Sequence, residues 1–409
     1  MVSSFNIDRR SLIGGAAAAL AAPSLARAEA KSLKIGVLLP RSGYLAQAGQ
    51  SCYRGALASV KPLADLGYRV ELMQVDTQSS ADAARTQAEK AIDEGAQCIV
   101  GAFDSGLTLA IAQVCEQRKV PLVINIAAAP QITGQGYEYL VRNFPTGGEL
   151  IANGLRLIKD ISQATHVEFH KAVFLHVNDT FGAAMLKGMD ALFPKAGLSF
   201  PIAESIGYDP RAQDLSVEIT RVRAANPDLL LVVTHAGDAI KLVREMVRQR
   251  FEPKAIISPG SPGLYDEEFY KALGPLSNYV MFNLPWANPK SAMTQALEAS
   301  FKKTNPGARF AVDSFNAGFT FEALLVAADA FKRAGTANGP KLMQAIRATK
   351  IDKHVMIGGP IAFDATGQNH NIGSAVVQNR HETPVVVYPA AAAAAKPVLP
   401  MPPWQGRKK

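Results

Sequence analysis

The sequence predicts an α/β protein in which two successive lobes each contain a parallel sheet. Its 409 residues are too many for one ordinary hydrophobic core, so two domains are expected. Short apolar segments alternate with amphipathic helical segments, which is the pattern of parallel strands connected by helices. The alternation stops near Arg142, and a second series of similar rhythm begins at residue 149. Two similar lobes are therefore predicted.

The first series starts with a buried strand at residues 34–39. Its other elements are strands at residues 69–75, 98–100 and 122–124 and helices at residues 50–66, 81–94 and 107–118. The second series contains helices at residues 149–161, 183–193, 215–225 and 239–249 and strands at residues 172–176, 200–205, 229–233 and 255–258.

The remaining chain is expected to return to the first lobe and then to cross again. Residues 285–352 are mainly helical, with helices at 291–303 and 315–334, and residues 359–388 have the pattern of antiparallel strands at 359–363, 374–378 and 385–387. The predicted division is residues 1–28 as a signal peptide, 29–144 plus 285–353 as lobe 1, 145–284 plus 354–390 as lobe 2, and 391–409 as a tail. This tail is rich in proline and alanine, which predicts an extended segment on a lobe surface.

The N-terminus predicts export. Arg9 and Arg10 precede a weakly apolar run at residues 12–25, and residues 26–28 (Ala-Arg-Ala) supply the small residues of a cleavage site. The run is short and interrupted by Pro23, so it is too mild to span a bilayer, and it resembles a twin-arginine export signal. No other stretch is expected to be long and apolar enough to span. The mature protein is therefore expected in the periplasm.

Composition excludes some functions. The formal net charge of +8 is dispersed, with a basic block only at the last three residues, which argues against nucleic-acid binding. Cys52, Cys98 and Cys115 cannot all pair and match no zinc or thioredoxin spacing. Buried free thiols are expected, and one disulfide remains open.

The loops after the strands carry the candidate site, because open parallel sheets bind ligands at the carboxyl ends of their strands. Residues 101–106 lead directly into a helix, where Ser105 and the first helical amides could bind a carboxylate. Alternatively, Asp104 or Ser105 only caps that helix. Residues 126–130 place three alanines before a proline, which permits either close approach of a ligand to the main chain or a tightly packed turn.

Enzymatic and cofactor chemistry finds little support. The loop at residues 40–49 lacks the glycines of a dinucleotide site and contains the bulky Tyr44. His166 and His170 have the i, i+4 spacing of metal ligands without an evident third ligand, so we interpret them as a surface pair. His235 follows a strand and should face the cleft, which alone does not establish acid–base catalysis. No cofactor, metal site or catalytic residue is expected.

Several segments together resemble the periplasmic binding proteins of ABC importers, specifically the branched-chain amino-acid (Leu/Ile/Val-binding) family. They are KIGVL at residues 34–38 with Ser42 and Gly43, VGAFDSG at 100–106, APQIT at 129–133, DTFG at 179–182, GGPIAFD at 358–364 and PPW at 402–404. The resemblance implies two Rossmann-like lobes joined by a hinge of three crossovers, near residues 143–146, 282–285 and 352–358, that closes on a ligand.

The resemblance also implies ligand contacts. They fall on Ser105 for the ligand carboxylate, on Ala127 and Ala128 for main-chain and threonine contacts, on Phe181 for a lobe 2 aromatic ring, and on His235 or Ala236 for a tyrosine. Gly260 stands where the family has the acid that pairs the ligand ammonium, and an ammonium buried without a partner is costly. A carboxylate without an amine, aromatic or aliphatic, is therefore favoured unless Asp104 or Asp238 supplies the charge.

The expected function is an extracytoplasmic receptor that captures a small organic carboxylate or amino-acid-like ligand between its lobes. It would deliver the ligand to an ABC permease and act as a monomer. A sensor of the same fold that docks a signalling protein and an exported enzyme are the alternatives. Tyr44, Phe103 and Phe181 either line an apolar wall or belong to the core. The candidate ligand-binding residues are Tyr44, Leu45, Asp104, Ser105, Ala127, Ala128, Phe181, His235, Ala236, Gly260 and Ser261.

Overall fold

The computed structural model describes residues 32–390 and 393–407. The predicted signal peptide lies outside the described residues. Within them the chain forms two large sheets, as the two series of elements predict. The prediction of an α/β fold with two mainly parallel sheets is therefore confirmed.

The first sheet has five strands, all parallel, in the order β2-β1-β3-β4-β5. The strands are β1 (Leu33–Leu39), β2 (Val70–Asp76), β3 (Cys98–Gly101), β4 (Leu122–Ile124) and β5 (Leu140–Arg142). The helices between them are α1 (Ala46–Asp65), α2 (Ala81–Asp93), α3 (Ser105–Arg118) and the short α4 (Gln131–Gly134). β3, β4 and β5 are completely buried, as expected for central strands covered on both faces.

The second sheet has seven strands in the order β14-β13-β10-β9-β8-β6-β7. They are β6 (Ala172–Val177), β7 (Ile202–Tyr208), β8 (Leu229–Val233), β9 (Ala255–Ser258), β10 (Met281–Leu284), β13 (Ala375–Arg380) and β14 (Thr383–Tyr388), and the helices between β5 and β10 are α5 (Gly147–Thr165), α6 (Thr180–Leu192), α7 (Ser216–Ala225), α8 (Ala236–Arg248) and α9 (Glu267–Leu273). β13 pairs antiparallel with both β10 and β14, and the other strand pairs are parallel.

Three helices after β10 return to the first sheet. They are α10 (Ala292–Thr304), α11 (Phe310–Ala334) and α12 (Gly339–Arg347). α10 and α11 pack on α1, and α12 packs on α11. The chain thus passes between the part that contains the first sheet and the part that contains the second sheet three times, at residues 143–146, at 285–291 and between residues 352 and 374. Where each lobe begins and ends stays a prediction.

Several sequence predictions need correction. β5 and β10 are strands that the pattern did not reveal, because three or four apolar residues give no periodicity to detect. Residues 359–363 do not join the second sheet: β12 (Ile361–Ala362) pairs instead with β11 (Lys350–Ile351) in a separate two-stranded sheet. By its length and composition α11 could cross a membrane, whereas no stretch after the N-terminal run was expected to be long and apolar enough. However, 94% of its apolar window is buried inside the protein.

The three cysteines are free and buried, which leaves no disulfide among them. The C-terminal segment was predicted to lie extended on a lobe surface, but part of it is buried. The Trp404 ring is buried, its Nε1 donates to the Phe251 carbonyl at 2.9 Å, and Met401 N donates to the Lys254 carbonyl at 2.8 Å. The segment around Trp404 is therefore packed against the loop that leads into β9.

The segments that pass between the two parts are tied together by Glu322, which is fully buried in α11. Its Oε2 accepts from Asn143 Nδ2 at 2.7 Å in the first segment. Its Oε1 accepts from the amides of Val355 and Met356 at 2.9 and 2.7 Å and bonds His354 Nδ1 at 2.8 Å in the third. One carboxylate thus accepts hydrogen bonds from donors in two of the crossing segments. These donors are not paired within a helix or a strand and would otherwise be buried without partners.

We expect Glu322→Gln to destabilise the protein by about 2 kcal/mol, because the new amide nitrogen faces the Asn143 donor and one charged hydrogen bond is lost. The measurement is the urea midpoint of unfolding. Glu89→Gln, on the exposed face of α2, is the matched control and should leave the midpoint unchanged. An unchanged midpoint in Glu322→Gln would contradict the role of this network.

Candidate functional site

Three helices begin at one place between the two sheets. α3 follows β3, α6 follows β6 and α8 follows β8, and their N-cap residues are Asp104, Asp179 and His235. One ligand atom from each of these three side chains lies within 4.8 Å of the other two. Because helix N-termini carry partial positive charge, their convergence favours an anion in the space beside them.

Asp104 serves mainly as a cap. Its Oδ1 accepts from the amides of Gly106 and Leu107 at 2.8 and 3.0 Å. These helical amides are therefore engaged, which corrects the expectation that they form a free nest for a carboxylate. Burial raises the pKa of Asp104, and the charge of Asp179 raises it further.

Ser105 is buried and oriented by the loop that follows β4. Its Oγ accepts from the amides of Ala128 and Ala129, both at 3.2 Å. A serine hydroxyl has two acceptor lone pairs and one donor proton, so both acceptor positions are used. The proton remains to be donated to a ligand.

Arg142, which the sequence analysis did not identify, binds the carbonyls of the same loop, whose amides bond Ser105. Its guanidinium is fully buried at the end of β5 and donates to the carbonyls of Ala127 and Ala129 at 3.1 and 2.7 Å. It also donates to Thr133 Oγ1 and to Gln368 Oε1, and no carboxylate of the described residues contacts it. Burial lowers the pKa of Arg142 to about 10, and the charge of Glu149 opposes this effect.

His235 and Asp179 form the charged pair of the second part. His235 Nε2 lies 2.7 Å from Asp179 Oδ2, and Asp179 Oδ1 accepts from the amide of Gly182 at 2.8 Å. Burial alone would lower the pKa of His235, but Asp179 and the charges of Asp238 and Asp104 outweigh burial and raise it to about 9. Burial alone would raise the pKa of Asp179, yet the imidazolium lowers it. At neutral pH His235 is therefore a cation, and its Nδ1 has no partner among the described residues.

The cavity itself has two adjoining ends. A void lies at the α3 end and a second one extends toward α1 and α11; counted together with the open solvent at their mouths, they measure about 340 and 560 Å³. Both are bordered by Phe103, His235 and Pro262. The α3 end adds the rings of Phe144 and Phe181 to Ser105 and the alanine loop. Aromatic and aliphatic walls with few polar groups are typical of small-molecule sites.

The structure brings together ten of the eleven candidate residues. Those that line the cavity are Tyr44, Leu45, Asp104, Ser105, Ala127, Ala128, Phe181, His235, Ala236 and Gly260. Ser261 does not line it: its Oγ accepts from the amide of Thr234 and bonds Ser258 Oγ inside the loop after β9. Asp238 also points elsewhere, because its carboxylate accepts from the Tyr208 hydroxyl.

Gly260 has no room for a side chain. Its φ is +150°, and a Cβ there would lie 2.8 Å from Leu150 Cβ. The acid that the Leu/Ile/Val-binding family places in this loop is therefore excluded at this position by backbone conformation and packing.

Other lining residues lie outside the loops that sequence reasoning considered. Ser51 and Arg54 come from α1, Asp313 and Asn316 from α11, and Tyr265 from the loop between β9 and α9. α11 reaches the cavity only because the chain returns to the first sheet after β10. The Asp-Thr-Phe-Gly segment was a visible signal for Asp179, since an aspartate that begins a helix after a strand faces the cleft.

Comparison with known proteins shows the family of this chain. The profile of the periplasmic binding protein family matches residues 32–380. The chain belongs to the periplasmic binding protein family. A relative, Leu/Ile/Val-binding protein homolog 7 of Brucella abortus, is 24% identical over 388 residues, which is 90% of this chain and 94% of that protein. The resemblance predicted from the sequence is therefore confirmed.

Two solved structures share the fold of this periplasmic binding protein. The substrate-binding protein of a branched-chain amino acid transporter from Streptococcus pneumoniae, in complex with isoleucine, has a TM-score of 0.73 at 19% identity and covers 87% of this chain and 98% of its own. A solute-binding protein from R. palustris, in complex with benzoate, has a TM-score of 0.72 at 20% identity and covers 90% and 98%. Because members of the family bind solutes rather than transform them, the prediction of a non-enzymatic receptor is confirmed, and the family implies the periplasm.

The His235–Asp179 pair predicts a pH dependence for this periplasmic binding protein. The pKa of His235 lies above its ordinary value of 6.5, so its stabilisation is fully present below pH 6.5 and is lost as pH rises through about 9. The pKa of Asp179 lies below its ordinary 3.8, so its contribution is lost as pH falls below that value. The melting temperature of the wild type should exceed that of His235→Gln most between pH 4 and 6.5.

The measurement is thermal unfolding of both proteins from pH 4 to 10. We expect the difference to correspond to about 2 kcal/mol at pH 6 and to shrink by pH 10. Asp104, Asp238 and Tyr44 also face His235, so the readout is the pH dependence of the difference rather than its absolute size. His166→Gln, at an exposed histidine, is the control. A difference that stays constant from pH 6 to 10 would rule out the charged pair.

Proposed function

We propose that this chain is the solute receptor of an ABC importer and that its ligand is a small organic carboxylate without a free ammonium group. The observation that carries the ligand class is the donor set at the α3 end of the cavity. Ser105 has a hydroxyl proton to donate, and His235, whose charge is balanced by Asp179, has an unpartnered Nδ1 that donates when the ring is protonated. The buried Arg142 lines neither void and supports this end of the cavity only through the alanine loop that it holds.

A carboxylate matches this set because charge-assisted hydrogen bonds to an anion are stronger than those to a neutral group. The ligand oxygen would accept from Ser105 Oγ. Arg142 would act through the alanine loop, since it holds the carbonyls of Ala127 and Ala129 on the side opposite Ser105. The resemblance to the family assigns the carboxylate to the same serine.

An α-amino acid fits less well. No carboxylate stands at Gly260, Asp238 is engaged with Tyr208, and Asp179 is neutralised by His235. Asp104 is the acid that lines the α3 end itself, and one of its oxygens is already used at the start of α3. The rings of Phe103, Phe144 and Phe181 favour an apolar body, and both isoleucine and benzoate occur in the related structures.

Closure of the two lobes is part of the proposal. Arg309, at the N-cap of α11, forms an ion pair with Glu267 of α9 and donates to the carbonyl of Glu382 at 2.9 Å. These contacts join the helix that packs on the first sheet to elements of the second. On the other side, Tyr44 packs edge-on against His235 at 6.2 Å between ring centroids. A ligand between them is enclosed from both sides, which is how hinge closure retains a solute.

Export by the twin-arginine route completes the proposal and rests on Arg9 and Arg10. Delivery to a permease follows from the family rather than from any surface feature. Calorimetric titration of residues 29–409 with benzoate, hexanoate and leucine tests the ligand class. Binding of the first two and not of leucine supports it, and exclusive binding of leucine would overturn it.

We expect Ser105→Ala to weaken carboxylate binding by about 1–3 kcal/mol, because a hydrogen bond to a charged group is lost. The measurement is the Kd from calorimetry. Ser59→Ala is the matched control: this hydroxyl is equally buried but bonds the Gly55 carbonyl within α1, away from the cavity. Equal affinity of Ser105→Ala and wild type would remove Ser105 from the site.

A further inference from the structure

The end of the cavity that lies away from Ser105 contains polar atoms that the proposed carboxylate does not use. We call this end the distal chamber and define it by Ser51, Arg54, Tyr265, Asp313 and Asn316, all of which line only the larger void. It lies between α1 and α11 on one side and the loop before α9 on the other.

Two buried atoms of the distal chamber lack hydrogen-bond partners among the described residues. They are the Tyr265 hydroxyl and Asn316 Oδ1, and both residues are buried. Leaving a buried donor or acceptor unsatisfied costs about 1–3 kcal/mol, so native proteins pair nearly all of them. Because both residues line one chamber, their two unsatisfied atoms point to a group that arrives with the ligand.

Neither side chain is free to turn away. The Tyr265 ring stacks on Phe282 at 4.6 Å and meets Trp286 edge-on at 5.2 Å, which fixes where its hydroxyl points. Asn316 lies within the buried first half of α11, whose backbone is set by helical hydrogen bonds. The two residues belong to elements that pack on different sheets, so they line one chamber only when the lobes are in this arrangement.

Two of the three acids that line the distal chamber have cationic partners. Asp313 accepts from Arg54 at 2.5 and 2.9 Å and from Ser51 Oγ at 2.8 Å, so both of its oxygens are engaged. Glu267 pairs with Arg309. Asp266 caps α9 through the amide of Phe269, and burial raises its pKa to about 6. Asp266 has its capping amide but no cationic partner among the described residues. The unsatisfied Tyr265 hydroxyl and Asn316 Oδ1 are neutral groups, which suit a hydroxyl of the ligand.

We propose that the distal chamber binds a hydroxyl group of the ligand, which donates to Asn316 Oδ1 and accepts from the Tyr265 hydroxyl. The ligand class is then a carboxylic acid with an apolar body and a hydroxyl at the end opposite the carboxylate. The inference rests on the proposed function, since the carboxylate fixes which end of the ligand enters the chamber. Tyr265 and Asn316 determine specificity.

The test compares matched acids with and without the hydroxyl: 4-hydroxybenzoate against benzoate, and 6-hydroxyhexanoate against hexanoate. The wild type should bind the hydroxy acid of at least one pair about tenfold more tightly, the equivalent of one satisfied buried hydrogen bond. Tyr265→Phe keeps the stacked ring and should reduce that preference to about twofold or less. Asn316→Leu removes the acceptor and should do the same.

Tyr53→Phe is the matched control, because Tyr53 is also a buried tyrosine with an unpartnered hydroxyl but does not line the cavity. It should keep the full preference. Circular dichroism and affinity for the unsubstituted acid report whether the variants fold.

The outcomes separate the two proposals. Binding of both members of each pair with equal affinity in the wild type would overturn the distal hydroxyl while leaving the carboxylate receptor intact. A preference that survives in both Tyr265→Phe and Asn316→Leu would overturn the assignment to these residues. Failure of all four acids to bind would overturn both proposals.

Discussion

Each parallel sheet places the carboxyl ends of its strands and the N-termini of the following helices at the same edge, and the cavity depends on this constraint. Two sheets with these edges facing one another bring three helix starts together at Asp104, Asp179 and His235. The partial positive charge of the helix ends and the cationic His235 favour an anion, while the two aspartates limit the excess charge. The electrostatics of the site are thus largely a consequence of topology.

Two buried ionic groups, Arg142 and Glu322, hold the loop after β4 and two of the crossing segments in place. Arg142 fixes the Ala127–Ala129 carbonyls, which aims the amides of the same loop at Ser105 and leaves the serine proton for a ligand. Glu322 binds two of the crossing segments to α11. Among the described residues Arg142 donates only to neutral acceptors, whereas Glu322 accepts from backbone amides and also bonds His354, whose pKa it raises. Such groups are costly to bury unless their hydrogen bonds are satisfied, as they are here.

The cavity has a serine, a histidine and aromatic rings at the α3 end and polar side chains in the distal chamber. Where the resemblance to the Leu/Ile/Val-binding family implies an acid that pairs an ammonium, this chain has a glycine that its backbone requires, and unsatisfied polar atoms occur instead at Tyr265 and Asn316. Under the proposed function, ligand selection would therefore act at the end of the ligand away from its carboxylate.

The sequence by itself determined the two α/β series, most strands of each sheet, the family and ten residues of the cavity. Strand periodicity and loop position were enough, because a strand followed by a helix puts the intervening loop at the ligand edge. It underestimated the first turns of several helices: α3 begins at Ser105 rather than 107, α8 at Ala236 rather than 239, and α11 at Phe310 rather than 315. The first turns of α3 and α8 consist mainly of small and polar residues, which give no apolar periodicity to detect. Only the tertiary structure decided the contributions of Arg142, Tyr265 and Asn316, since their roles arise from contacts between segments distant in the chain, for which a single sequence carries no local signal.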